Sequence, residues 1–134
     1  CSPGAFIYWD WGYAQVCPEQ PFIYAALVMC RIISIPAENK LCLDLGHKSI
    51  APENPLNKRV HFLNATVLSF IGQSEEHLVV EVEKNHQWKI GDVWYGVPIH
   101  ICPTVALYDF GHEIISGKPA SIWKTIARDR KITY

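Results

Sequence analysis

Nine prolines and eight glycines are spread through 134 residues, and no window between them holds three turns of 3.6-residue apolar periodicity. Long helices are thereby denied to this chain. What remains is a series of short apolar or alternating runs bounded by turn residues. Ala5–Trp9 is aromatic and follows Pro3-Gly4. Phe22–Ile35 is rich in β-branched and aromatic side chains and lies between Pro21 and Pro36. Leu41–Leu45 stops at Gly46, and Val60–Phe70 stops at Ile71-Gly72. Leu78–Glu83 alternates as a half-exposed strand does. Residues 92–109 hold two apolar runs around Pro98 and Pro103, and Ile114-Ile115 turns through Ser116–Pro119 into 120–127. Short strands at this spacing predict an all-β chain, a single β-barrel-like domain.

Apolar residues make up 49% of the chain, including five Trp, six Tyr and five Phe, which is enough for one buried core. Twelve basic residues against 13 acidic ones give a formal net charge of −1. Such a balance excludes intrinsic disorder and gives no bulk attraction to nucleic acid or to an anionic membrane. The longest apolar stretch, Phe22–Cys30, is interrupted at Arg31. It falls short of the roughly 20 residues that cross a bilayer as a helix. No signal-peptide pattern opens the chain. It starts at Cys1-Ser2-Pro3 rather than Met, so a processed chain or a piece of a longer one is expected. Five scattered cysteines with no Cys-x-x-Cys pair do not make a disulfide framework. Reduced thiols and a cytoplasmic location are expected, with Cys30 and Cys42 as small buried side chains.

Several residues carry possible chemistry. In Val97–Thr104, His100 and Cys102 sit two apart, and on a strand such residues project from one face. An imidazole nitrogen and a thiolate would then converge as a zinc ion requires. Two ligands leave positions open for water or substrate, the pattern of a catalytic metal. The spacing alone favours the plainer alternative, a buried cysteine beside a hydrogen-bonded histidine. Ser74-Glu75-Glu76-His77 offers carboxylates and an imidazole for acid–base work or for orienting metal ligands, although its composition favours a solvated hairpin turn. Lys48, near Asp44, could meet an anion or simply be solvated. The 13 residues His47–Arg59, with Pro52 and Pro55, lack strand signal and suit a functional or interface loop. Tyr8–Tyr13 is too dense in rings to face inward completely, so it should line a pocket or an interface, or cap one end of the barrel. The glycines have no phosphate-cradling spacing, and no serine has a Gly-x-Ser-x-Gly setting.

Taken in order, Asp44-x-Gly46-x-Lys48, Ser74-Glu75-Glu76-His77, Pro98-x-His100-x-Cys102-Pro103-Thr104-Val105 and Trp123-x-x-Ile126-Ala127-Arg128 resemble the C-terminal β-domain of D-threonine aldolases and D-serine dehydratases. The resemblance runs from about Gly4 to Arg128. It implies a fold-type III pyridoxal phosphate enzyme built like alanine racemase, of which residues 1–134 are the C-terminal domain. An N-terminal (β/α)₈ barrel, absent from this chain, would carry the cofactor on a Schiff-base lysine. The resemblance makes His100 and Cys102 ligands of a divalent metal, zinc or manganese. The His/Cys pair looks more like the zinc-dependent dehydratase branch than the manganese-dependent aldolase branch. Glu76, His77 and Lys48 become candidates to orient the ligands or to touch substrate. Arg128 suits a structural ion pair better than a carboxylate clamp.

The implied partners are the N-terminal barrel, a second copy in a homodimer and a small β-hydroxy D-amino acid. The face that meets the barrel should expose aromatic rings, and the isolated domain should be inactive. A racemase of the same fold without metal dependence, or a standalone binding module, are the alternatives.

Overall fold

The computed structural model describes residues 4–129 and 131–133. Six strands form one antiparallel sheet: β1 (Val28–Ala37), β2 (Lys40–Leu43), β3 (Val60–Phe62), β4 (Ser69–Gln73), β5 (Leu78–Glu81) and β6 (Val93–Pro98). Their spatial order is β3-β6-β1-β2-β5-β4, all pairs antiparallel. β7 (Phe110–Ile115) and β8 (Lys118–Lys124) make a separate two-stranded hairpin. The all-β expectation holds, with the six-stranded sheet curled into a half-barrel.

Alternation builds the core. Val28, Cys30 and Ile32 of β1 point inward while Met29, Arg31 and Ile33 point out. Leu41 and Leu43 of β2, and Leu78 and Val80 of β5, repeat that period of two. Val60 and Phe62 come from one edge strand, and Phe70 from the other packs against the same cluster. Both edges can share one core only because the sheet bends around it. Trp94, fully buried, meets Phe62 and Trp88 edge-on at centroid distances of 4.9 and 5.2 Å. Cys30 is a core residue as expected, and burial pushes its thiol up to about 12, Asp44 adding to the shift. Cys42 is only half-buried.

Two expected strands are not strands. Ala5–Trp9 forms a one-turn 3-10 helix over Ala5–Ile7, and Trp9 takes a left-handed φ of 53°. Asp10 then caps α1 (Trp11–Val16) by accepting from Tyr13 N at 2.8 Å. A local cap outcompetes the β preference of the rings here. Phe22–Leu27 is irregular, and β1 begins only at Val28. The second correction falls on His100–Cys102. This segment is the start of α2 (Ile101–Val105), with His100 as its N-cap residue in extended conformation. Pro103 is tolerated there because the first N–H groups of a helix lack intrahelical acceptors anyway. Among the described residues no helix is long and apolar enough to cross a membrane.

Candidate metal centre

Around residues 99–104 the chain is fixed by hydrogen bonds with three other segments, at Asp10–Gly12, Ala51 and Arg59. Ile99 N donates to Arg59 O at 3.0 Å, and Gly12 N donates to Ile99 O at 3.0 Å. A Cβ at Gly12 would lie 2.5 Å from that carbonyl oxygen, so the close approach of α1 requires glycine. Asp10, 1% exposed, accepts from Tyr13 N through Oδ1 and from Ile101 N, at 2.9 Å, through Oδ2. One buried carboxylate thus caps α1 and satisfies the first N–H of α2. Thr104 Oγ1 donates to His100 O at 2.8 Å and accepts from Ala51 N at 3.3 Å.

On this scaffold His100 is half-exposed and Cys102 exposed. His100 Nδ1 lies 2.7 Å from Oε1 of Glu53. The strand geometry that suggested convergence of the two side chains is not present. They instead flank the start of a helix, His100 at its N-cap and Cys102 at its second position. Their chemistry fits a borderline-soft divalent cation: an imidazole and an exposed cysteine are the donor types such an ion takes. Among the described residues no group of three or more His, Cys, Asp or Glu side chains closes around a metal.

The other candidates sit elsewhere. Ser74–His77 is the tight turn between β4 and β5, closed by Ser74 N donating to His77 O at 2.8 Å. Lys48 Nζ pairs with Glu76 at 2.7 Å and Glu75 at 3.0 Å, all three exposed. These contacts hold Lys48 charged and draw the Glu75 carboxyl below its usual range. Gly46 makes the motif possible, since a Cβ there would overlap the Glu75 backbone at 2.0 Å. Among the described residues no hydrogen bond or ion pair joins Lys48, Glu76 or His77 to His100 or Cys102. Arg128 pairs with Asp109 at 3.2 Å, the ion pair expected for it.

Of the N-terminal rings, Trp9 is buried against Tyr13 and Phe22. Trp9, Cys17, Phe22 and Tyr24 line an open pocket of about 270 Å³. Trp11 stacks on His61 at 3.5 Å and 11°. Glu53 and Asp10 were invisible as functional residues in the sequence. Asp10 had an N-cap signal, an aspartate ahead of a short run, but its reach to Ile101 spans 91 residues.

Solved structures share this architecture. A D-threonine aldolase from Filomicrobium marinum superposes with a TM-score of 0.81 at 23% identity, covering 95% of this chain and 35% of that one. An alanine racemase-like protein from Idiomarina loihiensis gives 0.61 at 23% identity, covering 77% and 32%. The fold is thus a β-domain of the alanine-racemase-like kind. A family model described as "Putative serine dehydratase domain" matches residues 25–114, and the chain belongs to that family. A D-threonine aldolase from an Arthrobacter species is 30% identical over 126 residues, 92% of this chain. The chain spans about a third of that relative's length, 32%.

Proposed function

We propose that residues 1–134 are the C-terminal β-domain of a pyridoxal-phosphate-dependent lyase acting on β-hydroxy D-amino acids, of the D-threonine aldolase or D-serine dehydratase type. In that reading the domain contributes His100 and Cys102 as ligands to a divalent metal, zinc or manganese. The observation that carries it is the braced turn at the start of α2. There His100 is half-exposed with its Nδ1 beside Glu53, and Cys102 is exposed two residues on. Support also comes from membership of the serine dehydratase domain family and from the 30% identity to a D-threonine aldolase.

His100 and Cys102 would hold a divalent ion at this turn, and when bound it would supply Lewis-acid polarisation of a β-hydroxyl group. This chain's own residues do the holding. His100 offers a neutral nitrogen and Cys102 a thiolate, and two protein donors leave coordination positions for substrate and water. Asp10 and Thr104 tie down the backbone of the turn through Ile101 N and His100 O. Pyridoxal phosphate itself does not fit the described residues. Every lysine among them is exposed or half-exposed, and none lies in a pocket that would desolvate an amine. In this reading the cofactor belongs to another domain.

Lys48, Glu76 and His77, on their separate turn, enter only as groups that docking of such a domain would bring toward substrate. Exposed rings and aliphatics at Phe22, Met29, Tyr95 and Trp123 suit the same docking. A homodimer and a cytoplasmic location complete the reading. The test is turnover of D-threonine and D-serine by the purified full-length protein with and without chelator. Metal-dependent release of glycine or of a keto acid is expected, and the 134-residue chain alone should be inactive with added pyridoxal phosphate. Chelator-insensitive turnover, or lyase activity in the 134-residue chain, contradicts the reading.

A further inference from the structure

Glu53 belongs to no sequence motif, yet it makes the closest side-chain contact of the candidate ligand His100, across 47 residues of chain. Both ends of that contact are anchored, and Thr104 and Arg59 bond to both of them. On the His100 side the backbone is tied to Thr104, Asp10 and Arg59 as described above. On the Glu53 side, Asn54 O accepts from Arg59 Nε at 2.8 Å, and the same guanidinium donates to Gln73 Oε1 at 2.6 Å. Gln73 in turn donates to Leu45 O at 2.8 Å. Two residues before Glu53, Ala51 N donates to Thr104 Oγ1. The loop is therefore pinned on both flanks of Glu53, to β4 on one side and to α2 on the other.

We propose that Glu53 is a positioning residue for the metal ligand His100, holding the imidazole with its proton on Nδ1 so that Nε2 presents its lone pair to the cation. The proposal rests on the reading of His100 and Cys102 as ligands. An ionised carboxylate has only acceptors, so the ring nitrogen facing it must be the donor, and the remaining nitrogen of a neutral imidazole is then the ligating one. Such a carboxylate also fixes the ring plane and raises the basicity of the ligating nitrogen. His100 and Glu53 retain 44% and 42% side-chain exposure, so the contact leaves imidazole surface open to an incoming ion.

The test uses Co²⁺ as the probe, titrated against a competing chelator in the full-length protein and followed by the thiolate-to-cobalt absorption band. Glu53→Ala should weaken Co²⁺ binding by about 10- to 100-fold. Glu53→Gln, which still offers a carbonyl acceptor without the charge, should fall between it and wild type. Both variants should reach the wild-type band at saturation, because Cys102 is untouched, and the metal-free melting temperature should not move. Wild-type Co²⁺ affinity in Glu53→Ala, with the band abolished in Cys102→Ala, overturns the role of Glu53 and leaves the ligand reading standing. A loss of affinity accompanied by a matching fall in the metal-free melting temperature also overturns it, making Glu53 a structural residue. Wild-type affinity and band in both His100→Ala and Cys102→Ala overturn the ligand reading itself.

Discussion

Within the six-stranded sheet, Ile32, Leu41, Leu43, Val80 and Trp94 are fully buried, each at 0% exposure. In the β7–β8 hairpin, Phe110, Ile114, Ile115, Ile122 and Trp123 have the same apolar character and stand between 47% and 63% exposed. Both regions are antiparallel and rich in β-branched and aromatic residues. What separates them is a second surface to pack against. The sheet bends so that its two edges share one cluster, whereas the hairpin is joined mainly to itself. An isolated two-stranded hairpin is marginal in water. Strand propensity therefore writes a hairpin wherever the turn allows, but only tertiary burial makes a strand contribute to stability.

The largest test of that contrast lies in the sheet. Trp94→Ala removes the ring that Phe62 and Trp88 pack against, and should cost about 3–5 kcal/mol. Urea unfolding monitored by far-ultraviolet circular dichroism measures it, and a loss near zero would mean that the cluster is not the stabilising core. Next comes the junction between the N-terminal segment and α2. Asp10→Ala removes both a helix cap and the acceptor of the buried Ile101 N–H, and leaving such a donor without a partner costs about 1–3 kcal/mol. Hydrogen exchange at Ile101 should accelerate in the variant, and unchanged protection there would remove Asp10 from the bracing of the turn.

In the hairpin, Ile122→Ser should stay within about 0.5 kcal/mol of wild type in this chain, as exposed substitutions do. A larger loss would place the hairpin against the sheet and break the comparison. The smallest effect concerns His61, whose burial against Trp11 lowers its pKa below the ordinary 6.5. Folding disfavours the imidazolium, so its contribution to stability is complete above pH 6.5 and is lost as pH falls through the lowered value. The imidazole resonances should titrate below pH 6.5 in the folded protein. Titration at or above that value would mean that the stack does not shelter the ring.

Much of the sheet was legible because its signal is local. Alternation over Val28–Ile32 and Leu78–Val82 names the buried face without reference to the rest of the fold. Val60–Phe70 reads as one strand but splits into β3 and β4, since β3 pairs with β6, remote in sequence, while β4 pairs with β5 across the next turn. The start of α2 was read as a strand because five residues are too few to show a helical period, and because two prolines nearby look like strand punctuation. Its helical form depends on Asp10, 91 residues away. The side-chain pair His100 and Cys102 was visible from residue type and from family resemblance, and its supports were not. Glu53 and Asp10 act through tertiary contacts that leave no mark on local spacing. Conversely, the turn at Ser74–His77 was legible from composition, and its pairing with Lys48 was not, because that contact spans 28 residues.

The central claim is that the turn opening α2 holds a divalent metal through His100 and Cys102. Its most direct test is elemental analysis of the purified full-length protein beside its His100→Ala and Cys102→Ala variants, each checked for folding by circular dichroism. The account predicts a stoichiometric divalent metal in wild type and its loss from both folded variants. Unchanged metal content in the two variants would contradict it.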